Sequence, residues 1–151
     1  MSCVAATSSH CPMSFNQDKV ELRGVPSRSS VGFLSLMEAY KYLEVGSYYK
    51  EPLVPVWVVF SESHYSVMFG IRPELVQAWS RPSPGAAPFD VYYWDPLAGQ
   101  DEVIRLTLLP EPTEALPDPN DTRALIPPLD LALRTKWAGC EIDWNDTEPI
   151  L

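Results

Sequence analysis

Basic residues are scarce in this 151-residue chain: eleven Lys and Arg stand against twenty Asp and Glu, a formal net charge of −9. That balance repels phosphate backbones and anionic headgroups, so neither nucleic acid nor a membrane surface is the expected partner. Cysteine is scarcer still. The three present, Cys3, Cys11 and Cys140, are odd in number and widely scattered, which excludes a disulfide framework and suits a reducing compartment, cytoplasmic or nuclear. No apolar run approaches the ~20 residues that a bilayer-spanning helix needs. The opening residues MSCVAATSSHCPMSFNQ have neither a basic stretch nor an apolar core, so they do not read as a signal peptide. Only two histidines occur. One of them, His10, joins Cys3 and Cys11 in the densest group of metal-ligand types, but the spacing matches no zinc pattern, and neither a metal nor a cofactor is expected.

What the chain does have is 46% hydrophobic and 11% aromatic residues, enough for one core. Its sixteen prolines cluster in residues 80–88 and 110–128, which predicts long irregular connections there; the second, acidic cluster reads as a surface loop. Residues 1–28 lack apolar periodicity and read as a largely disordered N-terminal segment. Residues 29–151 form the expected folded unit.

Along that unit, Val31, Leu34, Leu36, Met37, Tyr40 and Leu43 recur at three- and four-residue spacings. They predict a helix of about four turns, capped by Ser29 or Ser30 and closed by Gly46. The continuous run Val56 to Phe60 predicts a strand buried on both faces. Residues 61–63 then make a tight connection into a second strand, His64 to Phe69. Pro73 begins a short helix to Trp79. Two further strands follow, Phe89 to Trp94 and Val103 to Leu109, joined by DPLAGQ. The segment PPLDLALRTKWAG combines early prolines and acid with late bases and a closing glycine, which predicts a helix; period-two spacing of Leu129, Leu131, Leu133 and Trp137 is the competing reading. The sum is an α+β fold, an antiparallel sheet of about four strands with packed helices.

The second histidine sits inside this sheet. In HYSVMFG the side chains of His64, Ser66 and Met68 share one strand face, opposite Tyr65, Val67 and Phe69. An imidazole at the first strand position, beside a polar turn at the sheet edge, can face a substrate with one nitrogen and an orienting acceptor with the other. A half-buried structural histidine bonded to a carbonyl fits the same pattern. Asp95 closes the neighbouring strand, on the face of Phe89, Val91 and Tyr93, and is a candidate orienting carboxylate. Asp90 and Glu62 are alternatives, as is a solvated turn aspartate.

Three stretches resemble a known family: VGFLSLMEAYKYLEVGSYYKEPLVPVWVVFSESHYSVMFG, FDVYYWDPLAGQDEVIRLTL and ALRTKWAGCEIDWNDTEPIL. From about Val31 to Leu151 the chain is similar to the C-terminal part of the MINDY deubiquitinases, three/four branch, above all the MINDY-four group including its B form. EVGSYYK, WVVFSESHYS, YYWDPLA and the TKW-to-EPIL ending carry the likeness. It implies the C-terminal portion of a papain-like cysteine protease that cleaves isopeptide bonds in lysine-48-linked polyubiquitin, with ubiquitin or polyubiquitin as partner. The family's general base, the histidine of its SE(S/T)H motif, falls on His64. The family's nucleophile lies upstream in a Gly-Gly-Pro-Cys-like stretch, with a glutamine for the oxyanion. Cys3 and Cys11 have no such setting, and Cys140 stands where the family uses no catalytic cysteine. The chain therefore reads as a partial member carrying the base without the nucleophile, inactive alone; the alternative is a non-catalytic relative that binds ubiquitin.

Overall fold

In a computed structural model, residues 24–61, 63–76, 86–110 and 125–150 are described. Six strands form a single sheet in chain order: β1 (Gly32–Ser35), β2 (Val56–Ser61), β3 (His64–Phe69), β4 (Phe89–Trp94), β5 (Ile104–Leu109) and β6 (Glu141–Asp143). Three short helices accompany it: α1 (Leu36–Ala39), α2 (Ser47–Lys50) and α3 (Pro128–Arg134). The class is α+β as expected, but the sheet has six strands instead of about four, and its first pair, β1 with β2, is parallel.

The largest correction concerns residues 31–43. The expected four-turn helix is replaced by β1 followed by a single helical turn, whose cap is Ser35 and not Ser29 or Ser30: its Oγ accepts from Met37 N at 3.2 Å. Gly46 starts α2 instead of ending a helix. Sheet pairing outweighs the weak helical preference of so short a segment. Gly32 shows why the strand fits here, since any Cβ would lie against the Trp57 indole and the Tyr49 carbonyl.

The central hairpin follows the alternation of its side chains. In β2, Trp57, Val59 and Ser61 are buried while Val56, Val58 and Phe60 are only half-buried, so the strand is sealed on one face and not on both. In β3, Ser66 and Met68 point the same way as His64, and Tyr65 and Val67 stay exposed. On the outer face Phe60 packs on Tyr65 and Phe69 stacks on Tyr92, with centroids 4.9 and 5.6 Å apart.

The described part of the expected 73–79 helix is a 3-10 turn, Pro73–Val76; residues 77–79 lie outside the described residues, as do most of both proline-rich loops. In α3 the helical signals prevail over the period-two reading. Pro127 and Pro128 start it, Asp130 lies in its first turn and Arg134 in its last. Trp137, just beyond it, packs against Trp57 and Phe89 and so clamps the helix onto the inner sheet face.

Candidate active site

His64 opens β3. Its backbone pairs with Ser61 across a two-residue connection, in which Ser63 adopts the left-handed conformation with φ of 66°. Because side chains alternate, His64 follows Ser66 and Met68 onto the inner face, but at the strand's first position it is less buried than either. The imidazole is consequently 25% exposed. It stands at the end of an interior strand, since β2 and β4 flank β3, and so at the margin of the sheet beside the turn.

That neighbour brings the carboxylate. β3 and β4 run antiparallel with Val67 opposite Trp94 and Met68 opposite Tyr93. One further step of this register sets Asp95 opposite Ser66, with His64 diagonal to it on the same face. The side chains meet there: His64 Nε2 lies 2.5 Å from Asp95 Oδ2, and Asp95 is only 2% exposed.

The turn after β4 holds Asp95 in place. Its Oδ1 accepts from Leu97 N at 2.8 Å, an Asx turn across Pro96, and its own N–H donates to Gln100 Oε1. Gly99, with φ of 63°, lets the chain reverse between them. Tyr93, buried on the same face, donates its hydroxyl to Asp95 Oδ2 at 3.4 Å. Burial pushes the Tyr93 phenol up to about 12; a hydrogen bond with Ser66 opposes this and the Asp95 charge adds to it. The phenol is therefore protonated at neutral pH.

Of the other candidates, Asp90 lies on the opposite face and accepts from Thr107 Oγ1 at 2.7 Å, away from the imidazole. Glu62, Cys3, His10 and Cys11 lie outside the described residues. Cys140 is fully buried, and burial raises its thiol to about 12, so it stays protonated and unreactive at neutral pH. Among the described residues no group of three His, Cys, Asp or Glu side chains is placed to hold a metal ion, and no helix is long and apolar enough to cross a membrane. An open depression of about 460 Å³ adjoins the turn, lined by Gln100, Glu102, Arg105 and Asn145 among others, but neither member of the pair lines it.

The strand alternation placed Tyr93 on the face of Asp95 and Ser66 on that of His64 without a partner for either hydroxyl, and Gln100 was not singled out. Only the register signalled Tyr93, and only the closure of the turn reveals Gln100.

A family model described as "Deubiquitinating enzyme MINDY-3/4, conserved domain" matches residues 8–146. The chain is 50% identical over 130 residues to a "Probable ubiquitin carboxyl-terminal hydrolase MINDY-4" of Xenopus tropicalis, covering 86% of this chain and 16% of the relative. It is 46% identical over 136 residues to the protein of that name from Bos taurus, covering 90% and 17%. A "Ubiquitin carboxyl-terminal hydrolase MINDY-3 homolog" of Drosophila melanogaster is 35% identical over 101 residues, covering 62% and 18%. The chain thus spans less than a fifth of each of these relatives. No solved structure matches. With nearly its whole length inside one family model, the chain belongs to the MINDY-3/4 deubiquitinase family.

Proposed function

We propose that residues 29–151 are the C-terminal part of a papain-like cysteine deubiquitinase domain, and that His64 is its general base with Asp95 as the orienting carboxylate. The observation that carries this reading is the His64–Asp95 contact at 2.5 Å on a partly exposed rim, within a member of this family. Asp95 accepts the Nε2–H and fixes the ring, and proton transfer is assigned to Nδ1.

The reaction is acyl transfer on an isopeptide bond of lysine-48-linked polyubiquitin. A cysteine thiolate from the upstream part of the domain adds to the carbonyl carbon of the ubiquitin C-terminal glycine. The tetrahedral oxyanion collapses, the carbon–nitrogen bond breaks, and His64 Nδ1 gives its proton to the departing lysine amine. The neutral imidazole next removes a proton from water as its oxygen adds to the thioester. Collapse of that second intermediate frees the carboxylate and restores the thiolate and the imidazolium. No cofactor enters this sequence.

Ubiquitin or polyubiquitin is the partner. On this reading the chain alone does not cleave it: Cys140 is sealed in the core, and the sequence around Cys3 and Cys11 lacks the glycine-rich approach of the family's nucleophile. The absence of that nucleophile motif from the sequence favours a second reading, a non-catalytic ubiquitin-binding relative. A chimera separates the two: residues 29–151 replace the matching segment of a MINDY-4 relative, and hydrolysis of lysine-48-linked tetraubiquitin is measured. The expected result is an active chimera that loses about 10² to 10⁴ in rate with His64→Ala. An active chimera indifferent to that substitution removes His64 from the chemistry. In parallel, a ubiquitin with a thiol-reactive C-terminal warhead should form no adduct with this chain alone; an adduct lost in Cys11→Ala would make Cys11 the nucleophile.

A further inference from the structure

We infer that Tyr93 is a positioning residue for the His64–Asp95 pair, its phenol setting where the carboxylate oxygen sits and how strongly that oxygen holds the imidazolium. The inference rests on the reading of His64 as the general base, and it begins with where the residue lies. Tyr93 lies in β4 and Asp95 one residue past its end, so with the alternation continued their side chains leave the same face about 7 Å apart. That is a span a tyrosine side chain bridges along the sheet, and its hydroxyl reaches Asp95 Oδ2 at 3.4 Å. The acceptor is the oxygen that contacts His64 Nε2 at 2.5 Å, whereas Leu97 N–H occupies the other, Oδ1. Two donors from different strands therefore converge on one atom.

Packing alone does not require the hydroxyl. Tyr93 is 3% exposed within the apolar core, among Val91, Met68 and Leu106, where a phenylalanine fills the same space. A buried hydroxyl is tolerated only where it finds partners, and here those are the Asp95 carboxylate and the Ser66 hydroxyl. Burial keeps the phenol protonated far above neutral pH, so it acts only as a donor toward the carboxylate. Asp95, itself nearly sealed, gains a fixed donor that does not depend on the charge of His64.

The consequence is a division of labour on one oxygen. Hydrogen bonding from Tyr93 draws off part of the negative charge that would otherwise favour imidazolium, so the phenol lowers the basicity of His64 relative to an unassisted Asp–His pair. It also keeps Oδ2 in place when the imidazole is neutral and its hold on the carboxylate weakens. Ser66, on the same face of the neighbouring strand, hydrogen-bonds the phenol in the sense that opposes its upward shift, so Ser66 donates to the phenol oxygen and leaves the phenol proton for Asp95; Val59 O, at 3.4 Å, is the alternative acceptor of that one Ser66 proton.

The test is an NMR titration of the imidazole in this chain, with His10→Gln as background so that only His64 reports. Tyr93→Phe removes one oxygen and should raise the His64 titration midpoint by about 0.5 pH unit or more, the size expected for losing one hydrogen bond to a charged group. Incorporation of 3-fluorotyrosine at position 93 strengthens the donor and should lower the midpoint. Tyr92→Phe, on the opposite face and stacked on Phe69, should leave it unchanged. A folded Tyr93→Phe protein with the wild-type midpoint overturns the inference, and if that variant does not fold, an unshifted midpoint in the fluorotyrosine protein overturns it equally. The titration does not depend on any ubiquitin chemistry, so loss of the deubiquitinase reading in the chimera and loss of this positioning role are separately visible.

Discussion

Trp57 of β2 and Trp137, just beyond α3, meet edge to face with ring centroids 5.5 Å apart, and the ammonium of Lys136 lies over both rings, at 5.5 and 5.0 Å. The lysine head is buried with them and donates to Val76 O at 3.3 Å. A cation between two indoles recovers part of its lost hydration, but not all of it. Burial therefore lowers the Lys136 ammonium to about 8, against a smaller upward pull from Glu51.

Lys136→Met is accordingly expected to stabilise the protein at pH 7, by about 1 kcal/mol or more, because the apolar stem stays between the indoles and the buried charge is removed. The wild-type contribution has a defined sign: between about 8 and the ordinary 10.5 the unfolded chain holds a proton that the folded one has released, so this group's stability term rises with pH across that window. Urea midpoints at pH 7 and 9 check both points. A Met variant less stable than wild type at pH 7 would show that the cation contributes net stability.

Asp130 has the opposite sign from a paired surface carboxylate. Burial raises it from 3.8 to about 6, opposed by the Trp144 indole N–H at 3.0 Å and by Arg134 at 3.8 Å. Its stabilising contribution is complete below about 3.8 and is lost as pH rises through about 6. Asp130→Asn retains an acceptor for Trp144 and should flatten this dependence, so thermal midpoints of wild type and variant should converge toward pH 4 and separate, in favour of the variant, toward pH 7. A constant difference from pH 4 to 7 would contradict the assignment.

Asp95 has two separable duties, and two substitutions separate them. Asp95→Asn retains an acceptor for Leu97 N–H but removes the charge facing His64, so it should lower the His64 titration midpoint with little loss of stability. Asp95→Ala removes the acceptor of Leu97 N–H together with the contacts to His64 and Tyr93 and leaves donors unpaired in a nearly sealed site, at a cost of about 1–3 kcal/mol. Chemical denaturation and imidazole titration of the same samples read the two effects, and equal stability of the Asn and Ala proteins would argue against the turn role.

Gly32→Ala should cost about 1–3 kcal/mol, since the added methyl has the Trp57 ring on one side and the Tyr49 carbonyl on the other. If equilibrium denaturation found the alanine variant within about 0.5 kcal/mol of wild type, β1 would not approach β2 as closely as its parallel register requires.

Local pattern alone was enough for the middle of the sheet. Period-two alternation bounded by turn residues located His64–Phe69 and Phe89–Trp94 to the residue, and it set His64, Ser66 and Met68 on one face. Proline at the start likewise located the beginning of α3, whereas the helix ends at Arg134, five residues short of the Gly139 expected to close it. These signals lie within a few residues of what they specify, so a single chain displays them.

Strand order, by contrast, belongs to tertiary structure. The spacing of residues 31–43 suits a helix, and only parallel pairing with β2, more than twenty residues later in the chain, turns Gly32–Ser35 into a strand. β6 was not foreseen at all, because three residues carry too little periodicity to reveal it. The meeting of His64 with Asp95 depends on the same kind of information: thirty-one residues separate them, and what brings their side chains to 2.5 Å is the register of β3 on β4 together with the turn closed by Gln100. Side-chain periodicity determines which face a residue occupies, but the partner it meets there is decided by backbone hydrogen bonds between distant segments, whose register answers to the packing of the whole sheet.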